Sequence, residues 1–129
     1  MELPVIEIVS FGYLHGPQPE GAHLTLDLRT HFRDPHVSPE LRELTANDWQ
    51  VRDAVMATPG IRELLGPIAR AAEAFTVGPV AATVRIAVGC AGGRHRAPAF
   101  ATALADRLIF NDFTTTLTHR DLAQPVVCR

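Results

Sequence analysis

The residues with the greatest chemical potential lie together in Gly89-Cys90-Ala91-Gly92-Gly93-Arg94-His95-Arg96. Small residues let backbone N–H groups converge on one point and let a ligand approach the chain closely. Arg94, His95 and Arg96 add charge-assisted donors, and an arginine fork matches a phosphate or carboxylate through two parallel bonds. Packed into one turn, these groups repel each other unless an anion or carboxylates offset them. The alternative is a tight strand-to-helix connection in which glycine serves only geometry. Cys90 and Arg96 also satisfy C-x5-R, the spacing of phosphatases in which a thiolate attacks phosphorus while an arginine grips its oxygens. A positive loop favours the thiolate. That loop type places His before the Cys and Ser or Thr after the Arg, whereas this chain has Gly89 and Ala97. Cys90 is therefore expected to be a small buried cysteine, with a nucleophilic role as the alternative, and no catalytic residue is assigned.

The elements around this loop follow from periodicity. A β-branched run over 83–89 ends in the loop 90–96, and a helix is expected from about Pro98 to Phe110, with Phe100, Leu104 and Leu108 on one face. A strand followed by a small-residue loop and a helix N-terminus is a natural anion site, because the helix dipole adds positive potential. Val5 to Phe11 reads as a strand. His23 to Arg29 alternates, with Leu24, Leu26 and Leu28 toward a core and Thr25, Asp27 and Arg29 opposite. Residues 30–44 read as a long polar loop. A short helix is expected to start in Thr45-Ala46-Asn47-Asp48, with Asp48 in its first turn, and to run to Met56, and a second has Thr58 as N-cap and Pro59 at its first helical position. Its stripe is Ile61, Leu64, Leu65, Ile68, Ala72 and Phe75, with a kink or split at Gly66-Pro67. Phe113 to His119 alternates as a last strand.

Strands alternating with helices predict one α/β domain over 1–129, with a mostly parallel or mixed sheet flanked by helices. Ligands of such sheets sit beyond the carboxyl ends of the strands. Asp27 and Arg29, the 90–96 loop, and His119 with Arg120 all fall at such ends, so parallel strands bring them together. His36 is a loop histidine that could donate to a ligand. Each has a plainer reading: a salt bridge for Asp27 with Arg29 or Arg120, a sheet-end position for His119, and a surface position for His36. Trp49 is expected to pack.

The 129 residues are enough for one core without staples. Net charge is −2 and every one of the twelve basic residues is arginine. That balance gives no global drive toward nucleic acid or membrane, and lysine chemistry and a lysine-bearing Walker A loop are excluded. Two cysteines with no CxxC pair predict neither a disulfide framework nor a metal site. With no signal-like start and no apolar run of membrane length, a cytoplasmic protein is expected. No cofactor is assigned.

Taken in order, Ser10-Phe11-Gly12-Tyr13, Leu26-Asp27-Leu28-Arg29, Asp34-Pro35-His36, Pro39-Glu40-Leu41-Arg42, Leu44-Thr45, the block from Ile86 to Arg96, and His119-Arg120-Asp121-Leu122 resemble successive blocks of the RapZ C-terminal domain family. The resemblance implies binding of glucosamine-6-phosphate and, in some bacteria, of a small regulatory RNA whose cleavage is directed. The family's Gly-Cys-Thr-Gly-Gly-x-His-Arg-Ser loop falls on Gly89 to Ala97, and its Asp-x-Arg and Asn-Pro-His elements on Asp27/Arg29 and Asp34-Pro35-His36. Ala91 and Ala97 replace the family's Thr and Ser, removing two hydroxyls. The family's N-terminal P-loop domain is not expected here, so neither nucleotide binding nor hydrolysis is carried over. Without its lysine-rich tail, RNA binding is not expected.

The expectation is a non-enzymatic sensor or adapter for a phosphorylated small molecule such as an amino-sugar phosphate. Cys90, Ala91, Gly92, Gly93, Arg94, His95 and Arg96 would cradle the phosphate, and Asp27, Arg29, His36, His119 and Arg120 would read the rest. A protein partner and self-association are expected to carry the signal. A cysteine-dependent phosphatase and an RNA adapter are the alternatives.

Overall fold

The computed structural model describes residues 3–129. Four strands, β1 (Ile6–Gly12), β2 (Leu24–Asp27), β3 (Val84–Cys90) and β4 (Thr115–His119), form one sheet in the order β2-β3-β1-β4. Every pairing is parallel. The register sets Gly12 beside Cys90, Asp27 beside Gly89, and Ser10 beside His119. All four carboxyl ends therefore share one edge. Leu28 extends the β2 alternation past the strand, donating its amide to Gly89 O at 2.8 Å, and its side chain is fully buried.

Right-handed crossovers explain the layering. The β2-to-β3 and β3-to-β4 connections move the same way across the sheet, so both place their helices on one face. The β1-to-β2 connection moves the opposite way and falls on the other face with only a 3-10 turn at Tyr13–His15 and no α-helix. α3 (Ile61–Thr76) and α4 (Arg96–Phe110) accordingly bury Leu65, Ala69, Phe100, Leu104 and Leu108 against Ile6, Ile8, Ile86 and Val88. α2 (Trp49–Met56) adds Val51 and Val55 against Ala99 of α4. On the second face Glu7, Val9, Arg85, Thr116 and Thr118 line a cavity of about 340 Å³ with Pro19, Glu20 and Ala22. The helices thus cover one face rather than both.

Several local expectations are corrected. Thr58 does not cap α3; its Oγ1 donates to Ala54 O at 2.9 Å at the end of α2. The cap is Gly60 at φ +96°, whose amide donates to Glu63 Oε2 at 3.0 Å, and Pro59 precedes the helix. Pro67 does not split α3 into two elements, because the buried face from Ile61 to Thr76 carries the helix across one missing hydrogen bond. Phe75 is exposed at the helix end, with His23 beside it at 5.9 Å. Trp49 opens α2 facing solvent, 65% exposed. The 30–44 loop holds a 3-10 turn at Pro35–Val37 and a four-residue helix, α1 (Pro39–Arg42). α4 starts at Arg96, two residues before Pro98.

Candidate functional site

Between Cys90 and Arg96 the chain crosses over the end of β1 at backbone contact distance. A Cβ at Gly12 would stand 2.4 Å from the Gly92 carbonyl carbon. Gly93 has φ +72°, and a Cβ there would lie 2.7 Å from Gly12 N. Leu14 N donates to Ala91 O at 3.0 Å, fixing the crossing. Gly89 is small for a different reason, since a Cβ would fall 2.5 Å from the Phe11 ring, which packs edge-on against Tyr13.

This crossing leaves the amides of Gly92, Gly93, Arg94, His95, Arg96 and Ala97 with no protein acceptor among the described residues. Five of these six residues are buried, Arg94 being the exception. Buried amides are almost always paired, and these lead into the positive end of a 15-residue helix.

The side chains of Arg94, His95 and Arg96 turn outward from that crossing to grip neighbouring segments. Arg94 donates to Gln124 O at 2.6 Å and to Glu43 O at 2.9 Å. His95 donates from Nε2 to Leu44 O at 2.8 Å and Leu41 O at 3.1 Å. Arg96, 3% exposed, donates from Nη1 to the carbonyls of Leu28, Arg29 and Phe32, each at 3.1 Å, and lies 3.2 Å from Asp34 Oδ2. The repulsion expected in this turn is therefore relieved, because burial lowers the His95 pKa and favours its neutral form while carbonyl dipoles and one carboxylate offset the two arginines. Among the described residues Arg94 Nε and Arg96 Nε are buried without a partner.

At the end of β2, Arg29 forks onto Asp27 with bonds of 2.9 and 2.7 Å, and its guanidinium stacks 3.6 Å from the Tyr13 ring centroid. The fork from Arg29 pulls the Asp27 carboxyl below the usual range despite partial burial. Both side chains remain open to solvent beside the 90–96 loop. His36 shares a cleft with Cys90, Gly92 and Arg94; its Nδ1 has no partner among the described residues, and burial followed by the nearby Arg129 charge lowers its pKa.

His119 and Arg120 serve the fold. Ser10 lies 2.7 Å from His119 Nδ1, and Thr102 Oγ1 lies 3.4 Å from Nε2 while donating to Pro98 O. The arrangement is satisfied by a neutral imidazole that accepts from Ser10 and donates to Thr102, and burial holds the His119 pKa down. Arg120 donates to Pro17 O at 2.7 Å and to the Asp121 carboxylate, which also accepts the Gly12 amide at 2.8 Å. Together they clasp the 12–17 segment over the sheet end.

Cys90 is buried at the helix-facing end of β3. The cleft beside it has about 10 Å³ free and is closed by Val126, Val127 and Arg129. Sequence reasoning did not assign site roles to Asp34, Tyr13, Asp121 or Arg129. Asp34-Pro35 did carry a signal: the Asp34 side chain accepts the His36 amide as cap of the 35–37 turn. Nothing local marked the contact between Arg129 and Asp34, 95 residues apart.

Residues 4–123 match the RapZ C-terminal domain. The chain is 40% identical over 120 residues to a nucleotide-binding protein of Thermobifida fusca, covering 91% of this chain and 40% of that protein. A nucleotide-binding protein of Frankia alni is 39% identical over 120 residues, with 91% and 41% covered. One from Caldanaerobacter subterraneus subsp. tengcongensis is 36% identical over 123 residues, with 93% and 43% covered. The chain thus spans about two fifths of the length of these relatives. Among the described residues no helix is long and apolar enough to cross a membrane. With its parallel α/β sheet and its glycine crossing between β3 and α4, the chain belongs to the RapZ C-terminal domain family.

Proposed function

We propose that this domain binds a phosphorylated small molecule and acts as a non-catalytic sensor or adapter. The observation that carries the reading is the run of six amides, Gly92 to Ala97, without acceptors among the described residues at the N-terminus of α4. Such a run suits a phosphate's oxygens, with the helix dipole favouring the charge. Asp27 and Arg29, exposed beside the loop, would read the remainder of the ligand, with His36 at its margin. Asp27 suits a hydroxyl or an ammonium, which favours an amino-sugar phosphate such as glucosamine-6-phosphate. A nucleotide is the competing phosphorylated ligand, since the longer relatives are named nucleotide-binding proteins.

Binding without turnover is favoured by Cys90, which lies buried, and by Arg96, whose donors are engaged by three carbonyls and Asp34. In this reading the domain works in the cytoplasm, and occupancy is passed on through a protein partner or a change in self-association. Calorimetric titration with glucosamine-6-phosphate, a nucleoside monophosphate and inorganic phosphate tests the reading. Saturable binding that shifts the Gly92 to Ala97 amide resonances is expected. Absence of binding by all three ligands, or shifts confined to another region, would dismiss it.

A further inference from the structure

Residues 124–129 lie beyond the part of the chain that matches the family, and 125–129 carry no regular secondary structure. They nevertheless pack across the mouth of the 90–96 loop and are tied at both ends. Gln124 O accepts from Arg94 Nη1 at 2.6 Å, and Arg129 Nη1 donates to Asp34 Oδ2 at 2.5 Å. Between the ties, Val126 and Val127 face the cleft shared by His36, Cys90 and Gly92. Arg129 itself stands over Gly92, with Nη2 3.4 Å from where a Cβ would be. The roughly 10 Å³ left in the cleft holds at most one water. A phosphate group does not fit there while the segment is in place.

We propose that residues 124–129 form a strap over the anion loop, latched by Arg129 on Asp34, and that an anionic ligand reaches the loop only when this latch opens. The proposal rests on the reading of the loop as an anion site. The latch is built to open at small cost. Arg129 and Asp34 are both partly exposed, and pairs of that kind contribute modestly. When Arg129 leaves, Asp34 keeps Arg96 on one oxygen and the His36 amide on the other, so no buried carboxylate is stranded. Burial raises the Asp34 pKa, but the His36 amide, Arg129 and Arg96 outweigh it and keep the group ionised. A ligand that needs the open form binds with an apparent affinity reduced by the fraction open, so loosening the strap strengthens binding.

The test uses Cys128→Ser as background, so that Cys90, which lines the strapped cleft, is the sole thiol. Arg129→Gln and removal of residues 124–129 are compared with that background by the rate of Cys90 reaction with an aromatic disulfide and by NMR titration with inorganic phosphate. Arg129→Gln is expected to accelerate Cys90 labelling and tighten phosphate binding, each about three-fold, and removal of the segment about ten-fold. Phosphate affinity that is equal in all three proteins, or weaker in Arg129→Gln, overturns the strap and leaves the anion site standing. Unchanged Cys90 labelling in Arg129→Gln overturns it as well. Faster labelling with no phosphate binding in any variant overturns the anion site itself and the gating with it.

Discussion

The guanidinium of Arg96 lies 3.2 Å from the carboxylate of Asp34, and the same guanidinium collects the carbonyls of Leu28, Arg29 and Phe32. One buried side chain at the start of α4 therefore holds the whole 28–34 segment against the sheet end. Arg94 and His95 do the same for 41–46, where Arg94 O also accepts the Ala46 amide at 2.9 Å. The loop that suggests ligand chemistry is also the hub on which the surrounding loops hang.

Arg96→Ala is expected to cost about 3 kcal/mol of stability, because it removes the shared donor of three carbonyls and one of the two arginines paired with Asp34. Arg96→Lys retains the charge but not the fork and should recover only part of that loss. Urea denaturation of the three proteins measures this, and an Arg96→Ala midpoint equal to wild type would refute the structural role.

Stability should fall as the solution is made acidic. His119 and His95 have folded pKa values lowered from 6.5 by burial, the latter partly restored by its bonds to Leu44 and Leu41. The unfolded chain therefore takes up protons first, and stability is lost as pH falls below about 6.5 toward the folded values. Denaturation midpoints at pH 7.5 and 5.5 should show the drop. His119→Asn should make the slope shallower, and an unchanged slope would remove His119 from the explanation.

Neighbouring glycines should behave differently. Gly93→Ala places a Cβ 2.7 Å from Gly12 N at φ +72° and is expected to destabilise by about 2 kcal/mol or more. Gly92→Ala meets only the flexible tip of Arg129 at 3.4 Å and should stay within about 0.5 kcal/mol of wild type. Thermal unfolding separates the two, and equal losses would contradict the crossing geometry.

Cys90→Ser should leave hydrolysis of a generic aryl phosphate unchanged, at the buffer rate in both proteins. A wild-type rate well above buffer that Cys90→Ser abolishes would establish a thiolate nucleophile and overturn the non-catalytic proposal.

Much of the architecture was legible in the chain. Alternation in Leu24, Leu26 and Leu28, the β-branched run into Gly89, and the turn signals between them specify strands and helices through local preference and side-chain period. Right-handed connection between parallel strands then brings Asp27, Cys90 and His119 to one edge. Where local signals compete, the chain was less informative. Thr58-Pro59 looks like a helix start, yet Gly60 in the left-handed region with Glu63 on its amide sets the boundary. Trp49 is apolar enough to bury, yet its place at the solvent side of α2 is set by Val51 and Val55 taking the core.

By itself the sequence determined that strand, glycine loop and helix follow one another at residues 84–110, because those preferences act between residues close in the chain. Only the tertiary structure decided where the side chains of that loop point. The anion-site residues suggested by type divide into two groups: amides with no acceptor among the described residues, and Arg94, His95 and Arg96 side chains spent on carbonyls from 28–32, 41–44 and 124. Those partners lie some thirty to seventy positions away, and no local pattern encodes which distant carbonyl a guanidinium will meet.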